Sequence, residues 1–90
     1  GFAVEVGAEG NTLHANIAGK NGEDGFRILS SGNMFKRNAA MDNGSMGFNA
    51  GADSNTFSSN DACGNAFVDA ADDGSDNNWR NNDFCVTSGF

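Results

Sequence analysis

Two cysteines, one acidic run and one scattered set of basic residues are the groups in this chain that could do chemistry. Cys63 and Cys85 lie 22 residues apart. They are either a disulfide or two thiols, because two cysteines and one distant histidine, His14, are too few ligands for a structural metal site. Asp69, Asp72, Asp73 and Asp76 gather carboxylates around Gly74. Calcium favours oxygen sets of this kind, but the spacing fits no EF-hand loop, and Asp73-Gly74-Ser75 also describes a plain surface turn. No phosphate-binding loop and no nucleophilic triad is written in the sequence, so it names no catalytic residue and no cofactor.

What positions these groups is a repeat. Ser54-Asn55-Thr56-Phe57-Ser58-Ser59-Asn60 recurs as Gly10-Asn11-Thr12-Leu13-His14-Ala15-Asn16, as Gly32-Asn33-Met34-Phe35-Lys36-Arg37-Asn38 and as Asp76-Asn77-Asn78-Trp79-Arg80-Asn81-Asn82. Successive copies are offset by 22 residues. A constant period near 20 marks a solenoid and takes precedence over local propensity. Three asparagine columns result: Asn11, Asn33, Asn55, Asn77; then Asn16, Asn38, Asn60, Asn82; then Asn21, Asn43, Asn65, broken at Thr87. Eleven of the fourteen asparagines fall in these columns, so an asparagine-rich composition alone does not explain them.

Coils of a β-solenoid stack at about 4.8 Å, the spacing of strands in any sheet. A stacked asparagine amide is both donor and acceptor and can form a ladder along the axis. Asparagine also tolerates the left-handed backbone of a sharp corner. Three columns therefore predict three corners per coil, with asparagine in the corner conformation and short strands between. Cys63 and Cys85 then sit in adjacent coils, at a spacing inside the Cα range of a disulfide. An even cysteine count suits an oxidising compartment. His14, Lys36, Ser58 and Arg80 form an outward column with Arg37 beside it, which puts four of the six Lys, Arg and His residues on one stripe. Asp61 and Asp83 stack at another outward position, and the Thr12, Met34, Thr56, Asn78 column is interrupted by Met34 as a flat threonine array.

Ninety residues bound the chain to one domain. Coils are expected at about 1–24, 25–46, 47–65 and 66–88, four in all. The openings Gly1-Phe2, Gly25-Phe26 and Gly47-Phe48 are equivalent, and the fourth coil opens early at Ala66-Phe67 and regains register at Asn77 through a loop over Asp69–Asp76. The expected inward set is Phe2, Val4, Leu13, Phe26, Ile28, Phe35, Phe48, Phe57, Phe67, Trp79 and Phe84, with the alanines. The net charge of −7 argues against nucleic acid or an anionic membrane as partner. No run approaches the 18 apolar residues of a membrane span.

The pattern Gly-Phe-x-[Val/Ile] followed by Asn-x-[Leu/Phe]-x-x-Asn-x-Ala-x-x-Asn resembles the repeat of right-handed parallel β-helix proteins, the pectin-lyase-like superfamily with its carbohydrate-binding and sugar-hydrolase repeat modules. The resemblance runs along nearly the whole chain and implies an all-β, right-handed parallel β-helix. It also implies an acidic polysaccharide as the ligand class for the basic stripe of His14, Lys36, Arg37 and Arg80. That stripe is equally a solvated face opposing the acidic loops. The calcium and basic residues that lyases of the superfamily place on one face do not fall in one column here.

Gly89-Phe90 follows Gly1-Phe2 by four periods, and neither end carries an amphipathic helix or polar cap. Solenoids need terminal caps, and open strand edges recruit other chains. The chain, which begins at Gly1 and carries no signal peptide, is expected to be a processed product or an excised piece. Its expected role is a secreted, non-enzymatic structural subunit stacking end to end as a homo-oligomer or filament. The alternative is a carbohydrate-binding or carbohydrate-active module from the C-terminal part of a longer polysaccharide-degrading protein.

Overall fold

A computed structural model describes residues 4–89, and its regular elements are strands throughout. Phe2 and Phe90 lie outside the described residues. The strands are β1 (Val4–Val6), β2 (Thr12–His14), β3 (Ile17–Gly19), β4 (Phe26–Ile28), β5 (Met34–Lys36), β6 (Ala39–Met41), β7 (Phe48–Ala50), β8 (Thr56–Ser58), β9 (Asp61–Cys63), β10 (Ala70–Asp72), β11 (Asn78–Arg80), β12 (Asp83–Phe84) and β13 (Thr87–Ser88). They form three parallel sheets: β1-β4-β7-β10-β13, β2-β5-β8-β11 and β3-β6-β9-β12. The chain visits the sheets in turn and pairs each strand with the one a coil away, Leu13 with Phe35 and Phe35 with Phe57. This is a parallel β-solenoid. It has about three turns rather than the expected four coils, because the four rungs of the second and third sheets are separated by three steps.

Each corner holds one left-handed residue, and it precedes the asparagine. Gly10, Gly32, Ser54 and Asp76 precede the first column; Ala15, Arg37, Ser59 and Asn81 the second; Lys20, Asp42 and Gly64 the third. The ladder asparagines themselves were expected in that conformation, and the structure corrects this. The reason is that the asparagine side chain must point inward and along the axis. Its Oδ1 accepts the backbone N–H of the equivalent asparagine one coil earlier, as in Asn38 N–H to Asn60 at 2.9 Å and Asn33 N–H to Asn55 at 2.9 Å. In the second column Nδ2 reaches a strand carbonyl, as in Asn60 to the Phe35 oxygen at 2.9 Å. The side chain thus serves backbone groups that the turn leaves without partners, and Asn33, Asn38, Asn43, Asn55 and Asn60 are buried.

Alternation puts Phe26, Ile28, Phe35, Phe48, Ala50 and Phe57 inside, each fully buried. Phe26 stacks on Phe48 with ring centroids 4.7 Å apart, and Phe35 on Phe57 at 4.8 Å. The last turn exchanges volume between sheets. The inward position of the first sheet shrinks from Phe48 to Ala70, while that of the third grows from Ala62 to Phe84, whose ring lies 5.7 Å from that of Phe48. Facing large and small residues fill the interior without overpacking. Leu13, Trp79 and Phe84 are partly buried against this core, as residues of the outer turns. Gly25 and Gly47 are required by proximity, since a Cβ on either would come 2.7 Å from the Nδ2 of Asn43 or Asn65.

Several expected alignments are corrected. Phe26 pairs with Val4, so the step into the second coil is 22 residues and not the 24 that separate Gly1-Phe2 from Gly25-Phe26; the four-period match of Gly89-Phe90 to Gly1-Phe2 falls on residues outside those described. Phe67 is 68% exposed and not a core residue. The step stays at 22 and puts Ala70, not Phe67, opposite Phe48. The acidic run is therefore not one loop, because β10 passes through it.

Asn60→Ala would strand the buried Asn38 N–H, at about 1–3 kcal/mol for the unsatisfied group, and remove the side-chain donor to the Phe35 carbonyl. Asn16→Ala at the first rung removes only a side chain that donates to Asn38. Denaturant midpoints are expected to fall clearly for Asn60→Ala and little for Asn16→Ala; equal losses would contradict the ladder's role.

Candidate functional site

The basic stripe is in register. His14 lies beside Lys36, Lys36 beside Ser58 and Ser58 beside Arg80, on the outer face of the second sheet. His14, Lys36, Arg37 and Arg80 are exposed, and Ser58 is half-buried. Arg37 holds a left-handed corner, φ 56°, and its N–H donates to the Ser58 carbonyl. Lys36 and Arg80 are thus two strand steps apart, with the uncharged Ser58 between them. Asp61 and Asp83 are also in register and exposed, on the third sheet.

Most of the remaining polar chemistry collects at the C-terminal end. Cys63 and Cys85 form a disulfide, with Cα atoms 5.2 Å apart. It spans the last rung of the third sheet at the point where the chain takes a shortcut. From β9 to β10 it passes a full third corner at Gly64 and Asn65, but from β12 to β13 only Cys85 and Val86 intervene. Thr87 therefore pairs with Ala70, 17 residues earlier rather than 22.

The missing corner would have supplied the next asparagine of the third column. Asp69 takes its place. Asp69 stands one step after Gly25 and Gly47, where in the earlier turns a ladder amide leaves no room for a side chain. Without that amide there is room, and the Asp69 carboxylate accepts the Asn65 N–H at 3.0 Å and the Asn65 Nδ2 at 2.7 Å. Its other oxygen accepts the Val86 N–H at 2.9 Å. The residue is 2% exposed, a buried carboxyl group held by three donors. The third column thus ends in Asp69, not at Thr87. Asp72 performs a parallel task at the inward position of Ile28 and Ala50. It accepts from Gly74 N–H, Asn77 Nδ2 and, at 2.9 Å, Trp79 Nε1. The polar cap that the sequence did not reveal is this pair of carboxylates with the disulfide. Its signal was present as Asp69 in a glycine column and Asp72 in an apolar one.

Asp69 and Asp72 are thus engaged within the fold, while Asp73 and Asp76 are exposed. Among the described residues, the group of potential ligand atoms lying within 4.8 Å of one another is Cys63, Asp69 and Cys85, whose sulfurs are bonded to each other. Above the cap lies an open recess of about 270 Å³ lined by Trp79, Asn81, Asn82, Phe84 and Thr87. The Trp79 ring stacks on Phe57 at 3.8 Å.

The end faces carry complementary polarity. In each ladder the earlier coil donates its N–H to the later side chain. Among the described residues the backbone N–H groups of Asn77 and Asn82 consequently have no acceptor at the last rung, and the Oδ1 atoms of Asn11 and Asn16 have no donor at the first. No helix among the described residues is long and apolar enough to cross a membrane. Compared with protein-family models, curated proteins and solved structures, the chain matches none.

In Asp69→Asn one acceptor oxygen remains for Asn65, but an amide NH2 confronts a donor. Amide exchange at Val86 and across β13 is expected to accelerate about tenfold or more, with β5 and β8 unchanged. Unaltered exchange at Val86 would contradict the assigned role of this carboxylate.

Proposed function

We propose that the chain is a non-enzymatic, secreted structural subunit that stacks end to end through its coils, building a filament. The observation that supports this most is the polarity of the ladders: among the described residues, the N–H groups of Asn77 and Asn82 have no acceptor at one end, and the Oδ1 atoms of Asn11 and Asn16 no donor at the other. A second copy laid on the last rung in the same direction would satisfy both sets. It would also cover the Trp79–Phe84 recess with Leu13 and Ala18, the residues that begin those two columns. The Cys63–Cys85 disulfide is compatible with an extracellular setting. The right hand of the coil, and membership of the pectin-lyase-like superfamily, belong to the same reading. The repeat resemblance supports both, and parallel crossovers are overwhelmingly right-handed.

A second reading is favoured by the in-register row of His14, Lys36, Ser58 and Arg80. In it the chain is a carbohydrate-binding or carbohydrate-active module for acidic polysaccharide. Neutralising Lys36, Arg37 and Arg80 together to glutamine should abolish retention on an anionic glycan, and binding by the unaltered chain should fall with salt. Salt-independent retention would exclude it.

For the stacking reading, sedimentation and negative-stain electron microscopy are to be done at rising concentration, with the disulfide intact and after reduction. Uniform unbranched fibres or a concentration-dependent series of oligomers is expected in at least one state. A strictly monomeric particle in both would contradict it.

A further inference from the structure

The three sheets do not end level. The first has five strands and the others four, because β13 occupies a fifth place beyond β10. In a coil that climbs continuously, this fifth place belongs to the strand just before the next β2. A second copy that sets its β2 on β11 and its β3 on β12 would therefore bring its own β1 onto β10. The step from β1 to β4 pairs Val4 with Phe26 and Val6 with Ile28, so the same step would set the incoming Val4 on Ala70 and Val6 on Asp72. Thr87 already pairs with Ala70 there. Two strands compete for one edge.

The resident strand holds weakly by itself. It has two residues, both exposed, and the segment leading into it is tied down by the Val86 N–H to Asp69, with the Asp69 and Ala70 N–H groups donating to the Val86 carbonyl. Besides the two-residue pairing of Thr87 and Ser88 with Ala70 and Ala71, the remaining tie is covalent, since Cys85 is bonded to Cys63 immediately before this segment. That bond keeps β13 at a high local concentration beside its edge, which an incoming chain must exceed.

We infer that the β10 edge is the docking site for β1 of a second copy, and that the Cys63–Cys85 disulfide keeps it closed by holding β13 in place. This rests on the end-to-end reading above. Opening requires a dithiol reductant. The Cys63–Cys85 sulfur–sulfur bond takes up two electrons and two protons to give two thiols, and the dithiol becomes a cyclic disulfide. The freed segment leaves β10, the incoming β1 replaces it, and the ladders continue from Asn77 and Asn82 into Asn11 and Asn16 of the second copy. The oxidised molecule is thus self-limited at this end, and the exchange fixes a head-to-tail order.

The test uses the full 90-residue chain. Sedimentation velocity and circular dichroism are followed before and after addition of dithiothreitol, alongside the Cys63→Ser/Cys85→Ser double variant without reductant. A critical concentration about tenfold or more lower is expected for the reduced chain and for the double variant, with the β spectrum retained. Val86→Pro, which deletes the N–H that Asp69 accepts, should lower it with the disulfide intact. In the double-variant background, His14→Cys together with Arg80→Cys should cross-link successive copies on oxidation, and Arg80→Cys alone should not. Equal assembly of oxidised and reduced chains overturns the inference and leaves the stacking reading standing. Cross-linking by Arg80→Cys alone overturns the head-to-tail order. Loss of the β spectrum on reduction overturns the gate and makes the disulfide a staple of the whole fold. Absence of assembly in every form overturns both the inference and the stacking reading.

Discussion

The structure depends on the hydrogen bond from a backbone N–H at each corner to an asparagine side chain one coil later. A sharp corner turns backbone groups away from the sheets, and at the inner rungs the residues that carry them, Asn33, Asn38, Asn43, Asn55 and Asn60, are buried. Leaving them unpaired would cost about 1–3 kcal/mol each, repeated at every corner of every turn. An asparagine in that place answers with one oxygen and two hydrogens. The Asn60 side chain alone accepts from Asn38 N–H and donates to the Phe35 carbonyl and the Asn82 Oδ1. Other features accommodate this bond. The residue before each asparagine goes left-handed even when it is Ala15, Lys20 or Arg37. Gly25 and Gly47 lose their side chains to make room for the next amide.

The same requirement shapes the end of the coil. When the third corner is dropped after Cys85, the ladder loses its next amide, and Asn65 would face nothing. A carboxylate at Asp69 supplies the acceptor and, with its second oxygen, fixes the strand that follows the shortcut. Shrinkage of the first sheet to Ala70 is met by growth of the third to Phe84, so the aromatic stack continues to the last rung. The outcome is a lopsided terminus: the first sheet is covered by β13, while β11 and β12 have open edges. Among the described residues this end is therefore only partly capped.

Much of this was legible because the period is constant. The asparagine columns, the stacked Phe35 and Phe57, the Cys63–Cys85 pair and the basic row all follow from equal spacing, and spacing is a property of sequence. Local composition misleads where it competes with the step. Phe67 looked like another Gly-Phe opening because it is aromatic, but strict counting leads to Ala70. Gly1-Phe2 looked equivalent to Gly25-Phe26 for the same reason, and the pairing of Val4 with Phe26 shows a shift of two residues. The Asp69 cap was harder to see. Its partner Asn65 lies only four residues away, so the interaction replaces a ladder contact without obeying the period. Its one signal in the sequence is aspartate where two glycines precede it in the column. The left-handed residues were invisible as a type, since Gly, Ala, Ser, Lys, Arg, Asp and Asn all serve, and position alone selects them.

One interaction has two consequences, a coil held together from within and, among the described residues, donors left open at its last rung. Residue-resolved amide hydrogen exchange on the dilute, oxidised chain tests that link most directly. The N–H groups of Asn38, Asn55 and Asn60, whose acceptors are asparagine side chains, should exchange among the slowest in the molecule. Those of Asn77 and Asn82 should exchange fast, although they occupy the same columns. Uniform protection along each column, or fast exchange at Asn38 and Asn60, would contradict the claim that side-chain acceptors hold the coils and run out at the end.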